Sequence, residues 1–209
     1  MQRIQGAVGA RVEIQNFSFH GTNLGADFYG IRIRGTESNQ QAPLFAADRV
    51  SVGLRIHLFQ PKKFDLQEVT IDRPMTRISI DSSGKSNMPP SRNSPSGASS
   101  SLFDMAIGHF VLNNGEIFYN DRHAMVTADV RNLDSHVSYS EVEKSYDGTL
   151  SYREAQIRYG SLAPFTHELR ATFSAAPSGL ALKSLTLQSR ASTIRAHGQM
   201  TNYAEPSFD

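Results

Sequence analysis

The chain has 209 residues, enough for one large domain or two small ones with a buried core. Its 21 lysines and arginines offset 20 acidic residues, and this near neutrality argues against a nucleic-acid-binding protein, which normally has a basic face. Cysteine is absent, which excludes disulfides, thiolate catalysis and cysteine-based metal sites. The sequence contains no run of the ~18–20 apolar residues that span a bilayer, no signal peptide and no polybasic block typical of a membrane patch.

Strand periodicity begins near the N-terminus and dominates the chain. The first apolar residues in alternation are Val12, Ile14, Phe17, Phe19, Ile31 and Ile33. At Asn16 the apolar residues change from even-numbered to odd-numbered positions, and this change of parity predicts a bulge. In "ADRVSVGLRIHLF", five apolar residues alternate with polar ones and predict a half-buried strand: Val50, Val52, Leu54, Ile56 and Leu58.

A proline interrupts the next alternating run, "LQEVTIDRPMTRISID". Pro74 has no N–H and restricts the residue before it, so a strand tolerates it only at an edge, at a bulge or where the strand restarts. We therefore predict a strand that contains Ile71, followed by a second strand that contains Ile78 and Ile80. Residues 82–101 come next, rich in Ser, Pro, Gly and Asn, and are predicted to be a flexible linker.

The linker separates an N-terminal β segment, residues 1–81, from a second β segment, residues 102–209, which we expect to be truncated. At the start of the second segment, "SLFDMAIGHF" fits one face of a helix or one face of a strand. The strand is favoured because Asn114-Gly115, a strong two-residue turn signal, predicts a hairpin with the run that follows. Towards the C-terminus, a change of parity separates Leu182 from Leu185 and Leu187.

Each strand has one apolar and one polar face, so the sheet needs a cover on its apolar side. Burial of the five side chains from Val50 to Leu58 is worth about 8–15 kcal/mol, at roughly 1.5–3 kcal/mol each, which is too much to leave in water. Helical periodicity is almost absent, which leaves a second sheet, closure into a barrel or an apolar ligand as the cover. A sandwich or curled sheet with its own core is the simplest of these.

Residues typical of catalysis or metal binding form no motif. The seven histidines lack the short spacings of a zinc site. Two Asp-x-His triplets, residues 121–123 and 134–136, would still need a positioned nucleophile or a second carboxylate for acid–base chemistry. We therefore predict no catalytic residue, no metal site and no cofactor.

The order of these features resembles the AsmA-like and TamB-like bacterial envelope proteins, a family of bridge-like lipid carriers. The matching stretches cover nearly the whole chain: "VEIQNFSF", "FYGIRIRG", "PLFAADRVSVGLRIHLF", "FDLQEVTIDRPMTRISIDSSGKSNMP", the Ser-rich linker, "MAIGHFVLNNGEIFYND" and "LALKSLTLQSRASTIRAHGQMTNYAEP". In that family an amphipathic strand leads into an "idrP" break and a Gly-x-x-Asn-Met/Leu-Pro tract, as at Pro74 and at residues 84–89 here.

The resemblance implies an all-β fold, in which a long, curled, mostly antiparallel sheet forms an open apolar groove and the Ser/Pro-rich linker interrupts it. It implies a non-enzymatic protein of the bacterial periplasm, anchored to the inner membrane by an N-terminal helix. That helix is missing from this sequence, so we expect an N-terminal fragment of a longer protein. Its work would be to carry phospholipid between inner and outer membranes, with outer-membrane assembly proteins as further partners.

Acyl chains require an apolar trough and no directed hydrogen bonds. The lipid-groove residues predicted on this basis are Val50, Val52, Leu54, Ile56, Leu58, Ile71, Ile78, Ile80, Leu182, Leu185 and Leu187. Two alternatives remain open. One is a structural scaffold in outer-membrane protein assembly that binds through strand edges, and the other is a self-contained β-sandwich binding module.

Overall fold

The computed structural model of the chain describes residues 10–21, 24–38, 40–56, 64–89, 107–203 and 207–208. In these ranges the chain forms thirteen strands, and no helix there is long and apolar enough to cross a membrane. The all-β prediction is confirmed. The strands are β1 (Arg11–Glu13), β2 (Asn16–His20), β3 (Gly25–Arg34), β4 (Phe45–Ile56), β5 (Phe64–Asp72), β6 (Met75–Ile80), β7 (His109–Asp121), β8 (Val126–Ser140), β9 (Ser145–Tyr159), β10 (Phe165–Ala176), β11 (Gly179–Ser189), β12 (Thr193–Thr201) and β13 (Ser207–Phe208).

All of these strands belong to one sheet. Its order is β1, β3, β4, β5, β7, β8, β9, β10, β11, β12 and β13, while β2 pairs with β3, and β6 pairs with both β4 and β7. The sheet is mostly antiparallel, as predicted, and the pairings of β5 and β6 with β7 are parallel. Parallel neighbours need a long connection, which residues 81–108 provide between β6 and β7. The two β segments predicted from the sequence thus lie side by side in a single sheet.

The first part of the predicted linker is held against the sheet. The chain turns after β6, and Ser86 forms a bridge with Ile80. The side chain of Asn87 donates to the Arg77 carbonyl and accepts from the Ser79 N–H, both at 2.9 Å. The tract at residues 84–89 is therefore tied to β6, while residues 90–101 of the predicted linker lie outside the described residues.

The predicted strand break at the proline is confirmed. β5 ends at Asp72 and β6 begins at Met75, and Arg73 between them has a φ of 48° in the left-handed region. Pro74 has no N–H to donate, but its carbonyl accepts a hydrogen bond from the Glu116 N–H at 2.8 Å. The strand therefore restarts beside β7 without leaving the sheet.

Left-handed residues recur at one level of several neighbouring strands. Gly30 in β3, Arg73 after β5, Asn114 in β7 and Asn132 in β8 have φ angles between 48° and 62°. The register of β7 with β8 shifts twice in this region, as expected where strands carry extra residues. We call this row of four residues the bulge band. Because neighbouring strands bulge together, their apolar side chains remain on one face on both sides of the band.

The predicted hairpin turn at Asn114-Gly115 is wrong. Both residues lie inside β7, a strand of 13 residues, and Asn114 is part of the bulge band. Asn and Gly adopt positive φ readily, and a bulge can require this as much as a two-residue turn does. β7 instead joins β8 through residues 122–125.

Two predicted changes of parity can be located in the structure. The one near Asn16 coincides with the break between β1 and β2. The one between Leu182 and Leu185 is confirmed, because the register of β11 with both β10 and β12 shifts there. The helix-or-strand alternative for "SLFDMAIGHF" is settled only at its end, where β7 begins at His109, since residues 101–106 lie outside the described residues.

The described part of the sheet has a single layer. Strands in extensive contact are hydrogen-bonded neighbours in every case, and no large side chain of the described residues is fully buried, as a second layer packed on either face would require. The buried apolar residues of the described ranges are all small: Ala10, Ala47, Ala155 and Ala171. Large apolar side chains there are half-buried or exposed. The two-sheet core that the β-sandwich alternative requires is therefore absent from the described residues.

Candidate functional site

The predicted groove residues of β4 and β5 share one face of the sheet. Val50 pairs with Ile71, and Val52 pairs with Val69. Directly paired residues point to the same side of a sheet, as do alternate residues of one strand. Leu54, two residues beyond Val52, continues this face towards the end of β4.

The three predicted leucines of β11 extend an equivalent face at the other side of the sheet. Each is paired directly with an apolar residue of β10, and the pairs are Leu182 with Phe173, Leu185 with Ala171 and Leu187 with Leu169. The register shift between Leu182 and Leu185 inserts one extra residue, which keeps all three leucines on the same side.

Ile78 and Ile80 belong to this face although the bulge band separates them from Ile71. Thr76 lies two residues before Ile78 and therefore on the same side of the sheet. It starts a row of directly paired residues that continues, strand by strand, through Ile117, Val130, Ala155 and His167. His167 lies two residues before Leu169 in β10 and so shares its side. The side chain of Ile56 and the whole of Leu58 lie outside what the structure describes.

We call the side that carries these residues the apolar face. Its continuity is clearest in one row of ten directly paired residues, one from each of ten strands and none of them polar. In sheet order the row is Phe19, Ala26, Val52, Val69, Phe110, Val137, Gly148, Phe173, Leu182 and Gly198. The sequence therefore places an apolar side chain or a glycine at this level in strands from both β segments.

The glycine in the middle of the row is covered by its neighbour. A Cβ built on Gly148 would lie 2.5 Å from Cζ of Phe173, so the phenyl ring occupies the space that another side chain would need. Gly148 is buried as a result, while Phe173 is half-buried. The ring closes a gap that the glycine would otherwise leave in the apolar face.

One histidine lies within the apolar face and has its hydrogen bonds satisfied. His167 is 5% exposed, its Nε2 lies 2.9 Å from the Tyr152 hydroxyl, and its Nδ1 lies 3.3 Å from the Phe165 carbonyl. The Phe165 ring stacks on the imidazole at 4.8 Å. Burial raises the pKa of Tyr152. Because both ring nitrogens are engaged, His167 is a packed polar residue and has no free ring nitrogen with which to bind a substrate.

The opposite side, the polar face, holds hydrogen-bonded carboxylates. Asp27 accepts a short hydrogen bond from the Ser51 hydroxyl, and His20 Nε2 lies 2.9 Å from its other oxygen. Tyr29 adds a third contact at 3.2 Å. The Ser51 hydrogen bond, followed by that of His20, lowers the pKa of Asp27. This cluster links β2, β3 and β4 by side chains as well as by their backbones.

A second carboxylate links three strands of the polar face. Asp72 accepts from Asn113 Nδ2 at 2.9 Å, and its other oxygen lies 2.7 Å from Nη2 and 2.8 Å from Nε of Arg49. The hydrogen bond from Asn113, followed by that from Arg49, lowers the pKa of Asp72. The contact joins β4, β5 and β7, and so bridges the boundary between the two β segments.

A cleft of about 430 Å³ lies at one end of the polar face. The Arg77 guanidinium stacks over the Phe118 ring, 4.9 Å from its centroid, and Glu37 and Arg158 line the cleft beside them. Glu37 is already engaged, because it accepts hydrogen bonds from the N–H groups of Gly35 and Leu44. The cleft offers Arg158 to a polar ligand and lies on the opposite side from the apolar face.

The two Asp-x-His triplets have structural roles in the described residues. Asp121 accepts hydrogen bonds from the Ala124 N–H at 2.8 Å and from the Tyr119 hydroxyl at 3.1 Å, which lowers its pKa and closes the turn after β7. Asp134 accepts from the Asn114 N–H at 2.9 Å in the bulge band. No group of three metal-ligating side chains forms within the described ranges.

The cleft and most of the apolar face in β7 to β10 were not predicted from the sequence. The signal for the face was present as alternation in "HFVLNNGEIFYND", but the bulge at Asn114 shifts its parity midway. The cleft has no local signal, because the residues that line it come from separate strands and loops. Comparison with known proteins gave no match, neither to a protein-family model nor to a curated protein.

Proposed function

We propose that the chain holds phospholipid acyl chains on its apolar face, as a non-enzymatic part of a bacterial envelope protein that moves phospholipid between the inner and outer membranes. The observation that supports this proposal is the row of ten paired apolar residues from Phe19 to Gly198, on a sheet that has a single layer in the described residues. A polar ligand would gain nothing from such a surface, whereas hydrocarbon gains about 0.8 kcal/mol for each buried CH₂ group.

The dimensions of the row suit acyl chains. Neighbouring strands are spaced about 4.8 Å apart, so a row across ten strands is about 43 Å long. A bilayer hydrocarbon core of about 30 Å contains two leaflets, which gives each acyl chain a length of about 15 Å. The row therefore has room for two or more acyl chains end to end. With polar partners scarce on this face, the headgroup would stay in solvent.

The alternatives are supported less well. A scaffold that binds only through strand edges would need its apolar face closed, and no described element closes it. The periplasmic location, the inner-membrane anchor and the outer-membrane assembly partners derive from the family resemblance alone and are part of this proposal.

Photo-crosslinking in bacterial cells tests the proposal by comparing adjacent residues that lie on opposite faces of the sheet. A photoreactive amino acid at Val69 or Leu185 would lie on the apolar face, and one at the neighbouring Thr70 or Thr186 would lie on the polar face. We expect phospholipid adducts at the first pair and none at the second. Adducts of equal yield on both sides, or only intramolecular products at Val69 and Leu185, would contradict lipid binding on the apolar face.

A further inference from the structure

The two ends of the strands from β7 to β12 differ in chemistry. Because these strands alternate in direction, their turns fall into two groups at opposite ends of the sheet. Residues 122–125, 160–164 and 190–192, with the strand residues next to them, form one end, which we call the arginine rim. Residues 141–144 and 177–178 form the other end, which we call the opposite rim.

Exposed apolar side chains concentrate at the arginine rim. Leu162 is 64% exposed, Met125 is 60% exposed and Tyr159 is 58% exposed. Three further side chains of this rim, each more than 40% exposed, are Ile157, Phe165 and Ile194. At the opposite rim, Val142, which is 95% exposed, is the one exposed large apolar residue among the described residues. Solvated turns rarely carry so many large apolar groups without a partner.

Unpaired cations surround these apolar side chains. The rim carries Arg122, Arg158, Arg190 and Arg195, and none of the four forms an ion pair with a described carboxylate. The carboxylate inside the rim, Asp121, is buried and hydrogen-bonded within its turn. Asp81 in the adjacent turn is likewise engaged by Ser83 and the Lys85 N–H. The arginines therefore keep their charge available.

We propose that the arginine rim docks on the surface of an anionic phospholipid bilayer. Large apolar side chains can enter the headgroup boundary, and tyrosine favours this depth. Arginines beside them are attracted by the negative potential of anionic lipids and pair with phosphates. The opposite rim carries Glu141, Glu143 and Lys144, a net negative charge that gives it no attraction to the same surface. The strands would then meet the bilayer end-on.

This inference goes beyond acyl-chain binding, because surface docking does not require any lipid on the apolar face. Ile157, Tyr159, Phe165 and Ile194 nevertheless belong to that face by register. The rim is thus the edge at which the apolar face would open towards a bilayer.

A single tryptophan can report docking, because the natural chain has none. Leu162→Trp places the reporter on the arginine rim, and Val142→Trp places a matched reporter on the opposite rim. With the full chain, we expect brominated phospholipids in mixed phosphatidylglycerol and phosphatidylcholine vesicles to quench the fluorescence of the Leu162→Trp variant and to leave that of the Val142→Trp variant unchanged. Equal quenching of both variants, or quenching of neither, would overturn the proposal.

Vesicle flotation tests the contributions of the arginines and of the exposed apolar side chains to docking separately. Arg158→Gln combined with Arg190→Gln should lower binding to phosphatidylglycerol vesicles by roughly five-fold for each arginine. Met125→Asn combined with Leu162→Ser should also release the chain, and asparagine tolerates the φ of 55° at position 125. Val142→Ser is the control that should bind normally. Binding that is equal on pure phosphatidylcholine, or that the control lowers as much, would overturn docking by this rim even if the apolar face still crosslinks to lipid.

Discussion

Asp72 shows how single side chains hold a one-layer sheet together. Its carboxylate is 21% exposed and receives hydrogen bonds from Arg49 on one neighbouring strand and from Asn113 on the other. In a sheet without a second layer, such lateral contacts on the polar face supplement the backbone hydrogen bonds. The lowered pKa of Asp72 means that the ionised form is the one stabilised in the folded chain.

The stability from Asp72 should depend on pH in a defined direction. Since its folded pKa lies below the unfolded value of about 3.9, the contribution is complete above that value and is lost as the pH falls through the folded pKa. We expect Asp72→Asn to lower the free energy of unfolding at neutral pH by about 1 kcal/mol, a value reduced because Arg49 is 43% exposed. Urea unfolding measured over a pH series should show this difference shrinking towards zero in acid.

The matched control is Asp48→Asn, in the strand that also carries Arg49. Asp48 pairs with Arg73, but the two side chains are 59% and 65% exposed, so the ion pair is well solvated and should contribute less. A difference between wild type and Asp72→Asn that persists unchanged into strong acid would show that ionisation of Asp72 is not what stabilises this contact.

At the scale of the strand, the bulge band imposes the most specific demand on sequence. Asn114 has a φ of 53° and an exposed side chain, and its N–H donates to Asp134 at 2.9 Å. A β-branched residue fits poorly at positive φ. We expect Asn114→Val to lower the free energy of unfolding by about 1–2 kcal/mol and Asn114→Gly to change it by only a few tenths, as measured by urea unfolding.

Thr149→Val on the polar face of β9 serves as the control, because it introduces valine at an exposed position of a strand without positive φ. It should be neutral or slightly stabilising. If Asn114→Val were equally neutral, the chain could not have a left-handed bulge at this position.

Features that depend only on the order of neighbouring residues could be predicted from the sequence. A period of two located Val50, Val52 and Ile71 on a common face, and the missing N–H of Pro74 predicted the break that separates β5 from β6. Prediction from the sequence failed at Asn114, because a preference for positive φ does not tell a turn from a bulge. For the candidate site, the alternation of apolar and polar residues identified apolar side chains. It could not show that they form one continuous face, because that depends on the pairing register between strands that are distant in the sequence.

The arginine rim could not be predicted for a related reason. Arg122, Arg158 and Arg190 are far apart in the sequence, and the charges along the chain are mixed in sign. They come together because the strands between them have matching lengths and alternate in direction. A membrane patch built from turns leaves no charge block in the sequence to be recognised.

For the molecule as a whole, a single layer predicts that truncating an apolar side chain lowers the free energy of unfolding only slightly. Leu182 is half-buried between Phe173 and Gly198, with no strand above it in the described residues. Leu182→Ala should therefore leave no enclosed cavity, and we expect a loss of about 1 kcal/mol in the free energy of unfolding, below the roughly 2–5 kcal/mol typical of a closed core.

Urea unfolding measures this loss, and an unchanged dependence on urea concentration would confirm that wild type and variant expose the same surface on unfolding. A loss of about 3 kcal/mol or more would mean that protein covers Leu182, which would also remove the space proposed for acyl chains.

The restriction of contacts to neighbouring strands has a consequence for how such a sheet can evolve. A closed core resists insertion because every new element must fit all the others, whereas here an added hairpin must match only the two strands it lies between. Each duplicated hairpin would widen the apolar face by about 10 Å while the remaining strands keep their partners. Length then becomes a property that gene duplication can adjust in steps, without a new fold being needed for each distance to be spanned.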